Sequence, residues 1–195
     1  MKLLICFPIL TMHFCTYVII DSKGDIETQV ALALTPFDDD LEVEYYKTYL
    51  EEAEIERMAG CYGISAKDLP SLAEKMVDWR GSDGGHDEIG LFAWRSDNPE
   101  GHWDWYEIGG RWNGRFKGRN VIRAKTLFAM LDLKEFLPHC IIGPDGGWYE
   151  VESIIPAGFC NFGTVRKSDG QWLVELKQIL ASCPRSRVVC VDIHQ

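Results

Sequence analysis

The sequence predicts an α+β domain: an antiparallel or mixed sheet with helices packed mainly on one face, for which a ferredoxin-like core with insertions fits. Three observations lead there. β-Branched and aromatic residues crowd a run near each end of the chain, 14–20 and 188–194. Between them, apolar residues recur at i, i+3, i+4 and i+7, the spacing of amphipathic helices. Helices and strands then mix without the strict βαβ alternation of a parallel sheet. With 195 residues, 46% apolar and 26% charged, the chain is long enough to bury one sizeable core. No linker forces a second domain, so residues 12–195 are expected to form one.

Each element follows from its residues. Residues 14–20 form the opening strand, ended by the turn signal Asp21-Ser-Lys-Gly24. Residues 25–34 read as a short helix that stops before Thr35-Pro36, because the residue preceding a proline is steered out of the helical region. A strand is expected over 43–49. Ile55, Met58, Ala59 and Tyr62 mark a helix closed by Gly63, and Leu69, Leu72, Ala73, Met76 and Val77 mark another, with Ser65 and Asp68 resembling a capping box. Residues 81–85 are Gly-rich and read as a flexible loop. Strands over 90–95 and 110–116 are expected to flank an aromatic loop, followed by a helix over 126–137. Residues 140–143 and 148–151 face each other across Pro144-Asp-Gly-Gly147, a hairpin signal. Trp172, Leu173, Leu176, Ile179, Leu180 and Cys183 give a last helix before Pro184, and a strand over 188–194 closes the chain.

Charge and cysteine content narrow the functional classes. The net charge is −10, which repels polyanions and argues against general nucleic-acid binding. Nine acids between Asp38 and Glu56 face Lys47 alone, a solvated face or a negative surface for a basic partner. Residues 102–125 run the other way, with Arg111, Arg115, Lys117, Arg119, Arg123 and Lys125 against Asp104 and Glu107. The seven cysteines are scattered and form no CxxC pair, which gives no support to a zinc ribbon or redox motif and favours reduced thiols in the cytoplasm. The start MKLLICFPIL imitates a secretory signal, but no small-residue cleavage site follows; residues 1–11 are expected to be an extension or a start-site artefact. No apolar run reaches about 18 residues, so no membrane helix is expected.

The strongest site candidate is Asn98-Pro-Glu-Gly-His-Trp-Asp-Trp-Tyr-Glu-Ile-Gly-Gly-Arg-Trp-Asn-Gly-Arg-Phe116. Trp103, Trp105, Tyr106 and Trp112 offer rigid aromatic area, and Arg111 offers a fork of donors for carboxylate or phosphate. Asp104 and Glu107 lie within reach of that guanidinium. Together they suit a small planar, anionic ligand or a protein partner. The structural alternative is a corner in which the tryptophans fill the core and Arg111 pairs with Asp104 or Glu107. This stretch resembles the WDWYxIGGRWxG segment of a family of uncharacterised bacterial and phage-associated proteins, from about Met12 to the terminal Val-Asp-Ile-His. The resemblance implies a shared fold and site position, no particular reaction, and a setting in which host-directed or counter-defence roles are admissible.

The terminal strand is the second candidate. Cys190, Asp192 and His194 share one face, opposite Val189, Val191 and Ile193. Asp and His two residues apart serve as an acid–base pair or as metal ligands, and His13 and Cys15 repeat the spacing in the opening strand. If the two strands are neighbours, these four side chains cluster; the alternative is an edge strand whose polar residues face water. Residues 81–88 lack a P-loop's Gly-Lys-Ser/Thr and read as a mobile loop, able to act as a lid or to offer acids to a cation. A cysteine nucleophile is conceivable at Cys160, or at Cys140 with His139, though a buried inert thiol is the ordinary reading.

No cofactor or metal is implied. The residues lead first to a cytoplasmic binding or interaction protein that uses Trp103, Trp105, Tyr106, Arg111 and Trp112, an inhibitor of a host enzyme being one version. The alternative is a small hydrolase or nucleotide-processing enzyme acting on an anionic small molecule. It would use Glu107 or Asp104 as base or metal ligand, Arg111 as anion holder, and His194 with Asp192 for proton transfer. Convergence of these groups on one cleft separates the two.

Overall fold

A computed structural model describes residues 13–156 and 162–194. The expected extension, residues 1–11, lies outside the described residues, as does Cys160. In chain order the elements are β1 (His13–Ile20), α1 (Ile26–Leu34), β2 (Tyr46–Tyr49), α2 (Glu52–Tyr62), α3 (Leu69–Ala73), α4 (Met76–Arg80), β3 (Gly84–His86), β4 (Leu91–Arg95) and β5 (Trp105–Ile108). There follow β6 (Val121–Arg123), α5 (Ala124–Met130), β7 (Cys140–Ile142), β8 (Trp148–Glu150), β9 (Glu152–Pro156), β10 (Phe162–Arg166), α6 (Asp169–Ser182) and β11 (Arg187–His194). These make an α+β fold with mixed and antiparallel sheets. The described residues divide into two compact units, the second built on residues 42–99, which interrupt the first between Leu41 and Glu100.

The first unit is organised by its two terminal strands. β1 and β11 pair antiparallel over their whole length, from His13 opposite His194 to Ile20 opposite Arg187. They form the middle of a six-stranded sheet of order β5-β11-β1-β7-β8, with β6 also on β11. β7 joins β1 parallel, and every other neighbour pair in this sheet is antiparallel. Both faces of the sheet are covered, which is why the central strands read as near-continuous apolar runs. Cys15, Tyr17, Ile19, Val188 and Cys190 face Leu127 of α5 and Trp172, Leu176 and Leu180 of α6. Val18, Ile20, Val189, Val191 and Ile193 face Val30 and Leu34 of α1, with Phe37 and Trp103. Each such aliphatic side chain contributes about 1.5–3 kcal/mol by leaving water. α6 starts on a full capping box between Ser168 and Gln171, and α1 starts where Asp25 accepts from the Thr28 amide at 2.7 Å. Two buried polar groups lock the helical face to the sheet: Tyr17 Oη donates to the Phe136 carbonyl at 2.9 Å and Trp172 Nε1 to the Pro138 carbonyl at 2.8 Å.

The second unit packs α2, α3 and α4 on a three-stranded sheet of order β2-β4-β3. Its core is Leu50, Met58, Ala59, Leu72, Met76, Leu91 and Ala93. No helix among the described residues is long and apolar enough to cross a membrane.

Several local expectations need correcting. The helix expected from Leu69 to Val77 is two short helices. Lys75 leaves the helical region (φ −96°, ψ 2°), which buries Leu72 and Met76 and leaves Val77 exposed. Asp68, not Ser65, caps α3, accepting from the Ser71 amide. The loop expected over 81–88 contains β3. Gly84 is there for close packing, because a Cβ would collide with the Phe92 carbonyl and the Met76 side chain. The strand expected over 110–116 is displaced to β5, and residues 110–112 form a 3₁₀ turn. The strand at 43–49 shortens to β2. The helix expected over 126–137 stops at Met130, and a 3₁₀ turn at Lys134–Phe136 then buries Phe136.

Candidate functional site

The site lies where the N-terminus of β1 meets the C-terminus of β11. Full antiparallel pairing puts His13 beside His194 and Cys15 beside Asp192. β11 is an interior strand, flanked by β1 on one side and by β5 and β6 on the other, so the expectation of a solvated edge is overturned. Asp192 is 1% exposed. A buried carboxylate must have its lone pairs met. One oxygen takes His13 Nδ1 at 3.0 Å, and the other accepts the Arg111 backbone N–H at 2.9 Å. The sequence Ile108-Gly109-Gly110-Arg111 makes that second bond possible. Gly109 (φ 81°) and Gly110 (φ 44°) turn the chain off the sheet edge with left-handed backbone, and any side chain at Gly110 would collide with Asp192.

A second pair stands beside the first. His194 Nδ1 meets Asp104 Oδ1 at 2.5 Å, and the Asp104 amide donates to the His194 carbonyl at 3.1 Å. The two imidazoles are 5.1 Å apart, edge to face, and Trp105 stands 6.1 Å from His13. His13, Asp104, Trp105 and His194 line an open depression of about 450 Å³. His13 also lines an adjoining cleft of about 390 Å³ with Cys15, Trp112, Arg115, His139 and Trp172, among others. Each ring is held through Nδ1 by a carboxylate, the arrangement that sets a histidine's orientation and tautomer and leaves Nε2 for chemistry. Among the described residues, no group of three or more His, Cys, Asp or Glu side chains is placed to hold a metal ion.

The aromatic-arginine stretch is divided between core and surface. Trp103 is buried against α1, its Nε1 donating to the Leu34 carbonyl at 3.0 Å, and Tyr106 packs edge-on to it at 5.1 Å. Trp103 therefore braces the core and drops out of the expected recognition surface. Trp105 is exposed, and Glu107 is exposed opposite Asp192 in the β5–β11 register. Trp112 is half-buried over the α5–α6 face. The Arg111 guanidinium is exposed and makes no ion pair among the described residues. The expected brace to Asp104 is replaced by His194 as that acid's partner.

Cys140, the candidate nucleophile among the described residues, and Cys15 beside the site are both poor nucleophiles. A hydrogen bond with Cys190, 3.9 Å away, and burial push the Cys15 thiol far above its ordinary range. Burial does the same at Cys140, with the Glu150 carboxylate adding to it; this thiol contacts Thr16 Oγ1 at 2.9 Å. Burial also holds the neighbouring His139 below the usual imidazole range. Sequence reasoning missed the Asp104–His194 pair and the Arg115 cleft. The first depends on β5 crossing the end of β11, and the second on a loop fold that no spacing encodes. No protein-family model, curated protein or solved structure matches the chain.

Proposed function

We propose that the protein is a small acid–base enzyme that hydrolyses an ester or phosphoester bond in an anionic small molecule. The observation that carries this reading is the pair of carboxylate-oriented histidines, 5.1 Å apart, opening on one depression. General acid–base catalysis needs one group to take a proton and one to give it, both within reach of the reacting centre. His13, fixed by the buried Asp192, takes a proton from the attacking water. His194, fixed by Asp104, gives one to the leaving alcohol. The water oxygen forms the new bond as the ester bond breaks. Exposed Trp105 offers a flat wall for the non-reacting part of the substrate. The described cysteines are free thiols, which suits a cytoplasmic setting.

The test is turnover of p-nitrophenyl phosphate, bis-p-nitrophenyl phosphate and p-nitrophenyl acetate by the purified chain and by His13→Ala. The expected result is hydrolysis of one of them and its loss in the variant. Absence of turnover on all three, or turnover indifferent to His13, overturns the reading.

Exposed Trp105 and Arg111, whose guanidinium makes no ion pair among the described residues, favour a second reading, a partner-binding surface on the β5 edge, of which an inhibitor of a host or defence enzyme is one version. It is separated by Arg111→Gln, which removes partner capture and leaves the histidine chemistry in place.

A further inference from the structure

We infer that the cleft beside His13 is an oxyanion subsite anchored by Arg115, taking a phosphate or carboxylate group of a small molecule. This deepens the hydrolytic reading by naming the subsite that holds its substrate's anionic group, and binding itself does not require the histidines.

Arg115 carries a charge that no carboxylate among the described residues compensates. Arg115 is half-buried and lines the cleft. Its Nε donates to Tyr17 Oη at 3.0 Å, and its Nη2 donates to the carbonyls of Glu135 at 2.7 Å and Leu137 at 3.0 Å. Every one of these acceptors is neutral. The guanidinium also lies over the Trp112 ring, 5.2 Å from its centroid. The other cations of the lining already have carboxylates: Lys134 pairs with Asp169 at 2.9 Å, and Arg166 with Glu152 at 3.3 Å. Arg115 has none among the described residues. Drawing a cation partly out of water costs free energy that neutral acceptors offset only in part, and an anion completes the balance.

Geometry points the same way. Three bonds fix the plane of the fork and leave Nη1 uncommitted among the described residues, so its donors are pre-set for an oxyanion. The cleft, at about 390 Å³, has room for more than a bare phosphate, and His13 stands in its wall. A ligand anchored at Arg115 therefore extends toward the histidine pair. Arg111, the arginine that the sequence singles out, is exposed outside this cleft and is the built-in control.

The experiment titrates inorganic phosphate, and separately acetate, into the ¹⁵N-labelled full chain. The Arg115 Nε–H and the indole N–H of Trp112, which is buried without a partner among the described residues, are followed. The expected result is a saturable shift of both signals with at least one anion. Affinity should fall about tenfold or more in Arg115→Gln and stay unchanged in Arg111→Gln. Because Arg115 also braces Tyr17 and two carbonyls, the wild-type chain supplies a second measurement. Phosphate or acetate should protect Arg115, and not Arg111, from phenylglyoxal, read by peptide mass spectrometry. No saturable shift, equal weakening by Arg111→Gln, or no protection of Arg115 overturns the subsite. Binding that persists while every ester is left intact overturns the hydrolytic reading alone.

Discussion

The terminal strands and the loop at 98–116 contribute to one site by opposite routes. The loop is conspicuous in composition, yet half of it goes to structure: Trp103, ahead of β5, and Tyr106, within it, pack on the α1 face, while Asp104, Trp105 and Glu107 stay on the site side. The strand ends are plain in composition, yet their register brings together His13, Asp192 and His194, residues up to 181 apart in number, at one end of the sheet. The lesson is that aromatic density marks where a chain packs hard, whereas a polar residue on the buried face of a central strand marks where it keeps a function. Asp192, 1% exposed between valine and isoleucine, is such a residue.

Predictions can break this comparison at either side. The largest effect is expected from His13→Ala: a loss of about 10²–10⁴-fold in turnover of the ester hydrolysed, as is typical of general acid–base groups, with about 1–3 kcal/mol of stability lost because the buried Asp192 gives up one of its two partners. A stability loss as large as that of a core deletion would make His13 a structural member and remove the contrast. Trp103→Ala should do the reverse, costing about 3–5 kcal/mol in urea denaturation with kcat of the remaining folded protein near normal. Trp105→Ala, two residues away, should change stability by no more than about 0.5 kcal/mol. If the two tryptophans cost the same, the division of the loop between core and surface is overturned. Gly110→Ala sits between these cases. It should cost about 1–3 kcal/mol from left-handed strain and also lower turnover, because the added methyl pushes on Asp192.

Much of the fold was legible. β1, α1, α2, the β7–β8 hairpin, α6 and β11 follow from apolar spacing, glycine stops and the Pro144-Asp-Gly-Gly147 turn, all of which act locally. The pairing of β1 with β11 was legible only as a condition, since nothing in either strand states its neighbour. The errors share a cause: a local pattern was overruled by a contact distant in sequence. Trp112 and Phe116 look like strand residues but are core contacts of a turned loop. Gly84 and Gly85 look like a hinge but admit the side chains of Met76 and Phe92. The separation of residues 42–99 as a compact unit leaves no compositional trace, because an inserted segment needs no linker. Of the site, Asp192 and His194 were readable from alternation, whereas the partners of each come from elsewhere in the chain, His13 from β1 and Asp104 from the bend ahead of β5.

The smallest effect separates the two units by pH. His139 packs its ring on Phe14, 4.2 Å between centroids, and burial holds it below its ordinary 6.5. The unfolded chain therefore binds a proton that the folded chain resists. Stability must fall as pH drops from above 6.5 toward the lowered value, and the loss is complete once both states are protonated. In the second unit the sign is the same but the window is different. Asp87 accepts from Lys47 at 2.6 Å and from Tyr49 at 2.9 Å, which holds its carboxyl at about 2 against an ordinary 3.8. Its contribution is intact at neutral pH and is lost only between those two values. Urea midpoints followed by residue-resolved NMR should show the β1–β7 strands weakening first, just below pH 6.5, while β2–β4 hold until pH 4. His139→Gln should flatten the first slope without moving the second. A common midpoint shift in both sheets would mean that they unfold as one cooperative body.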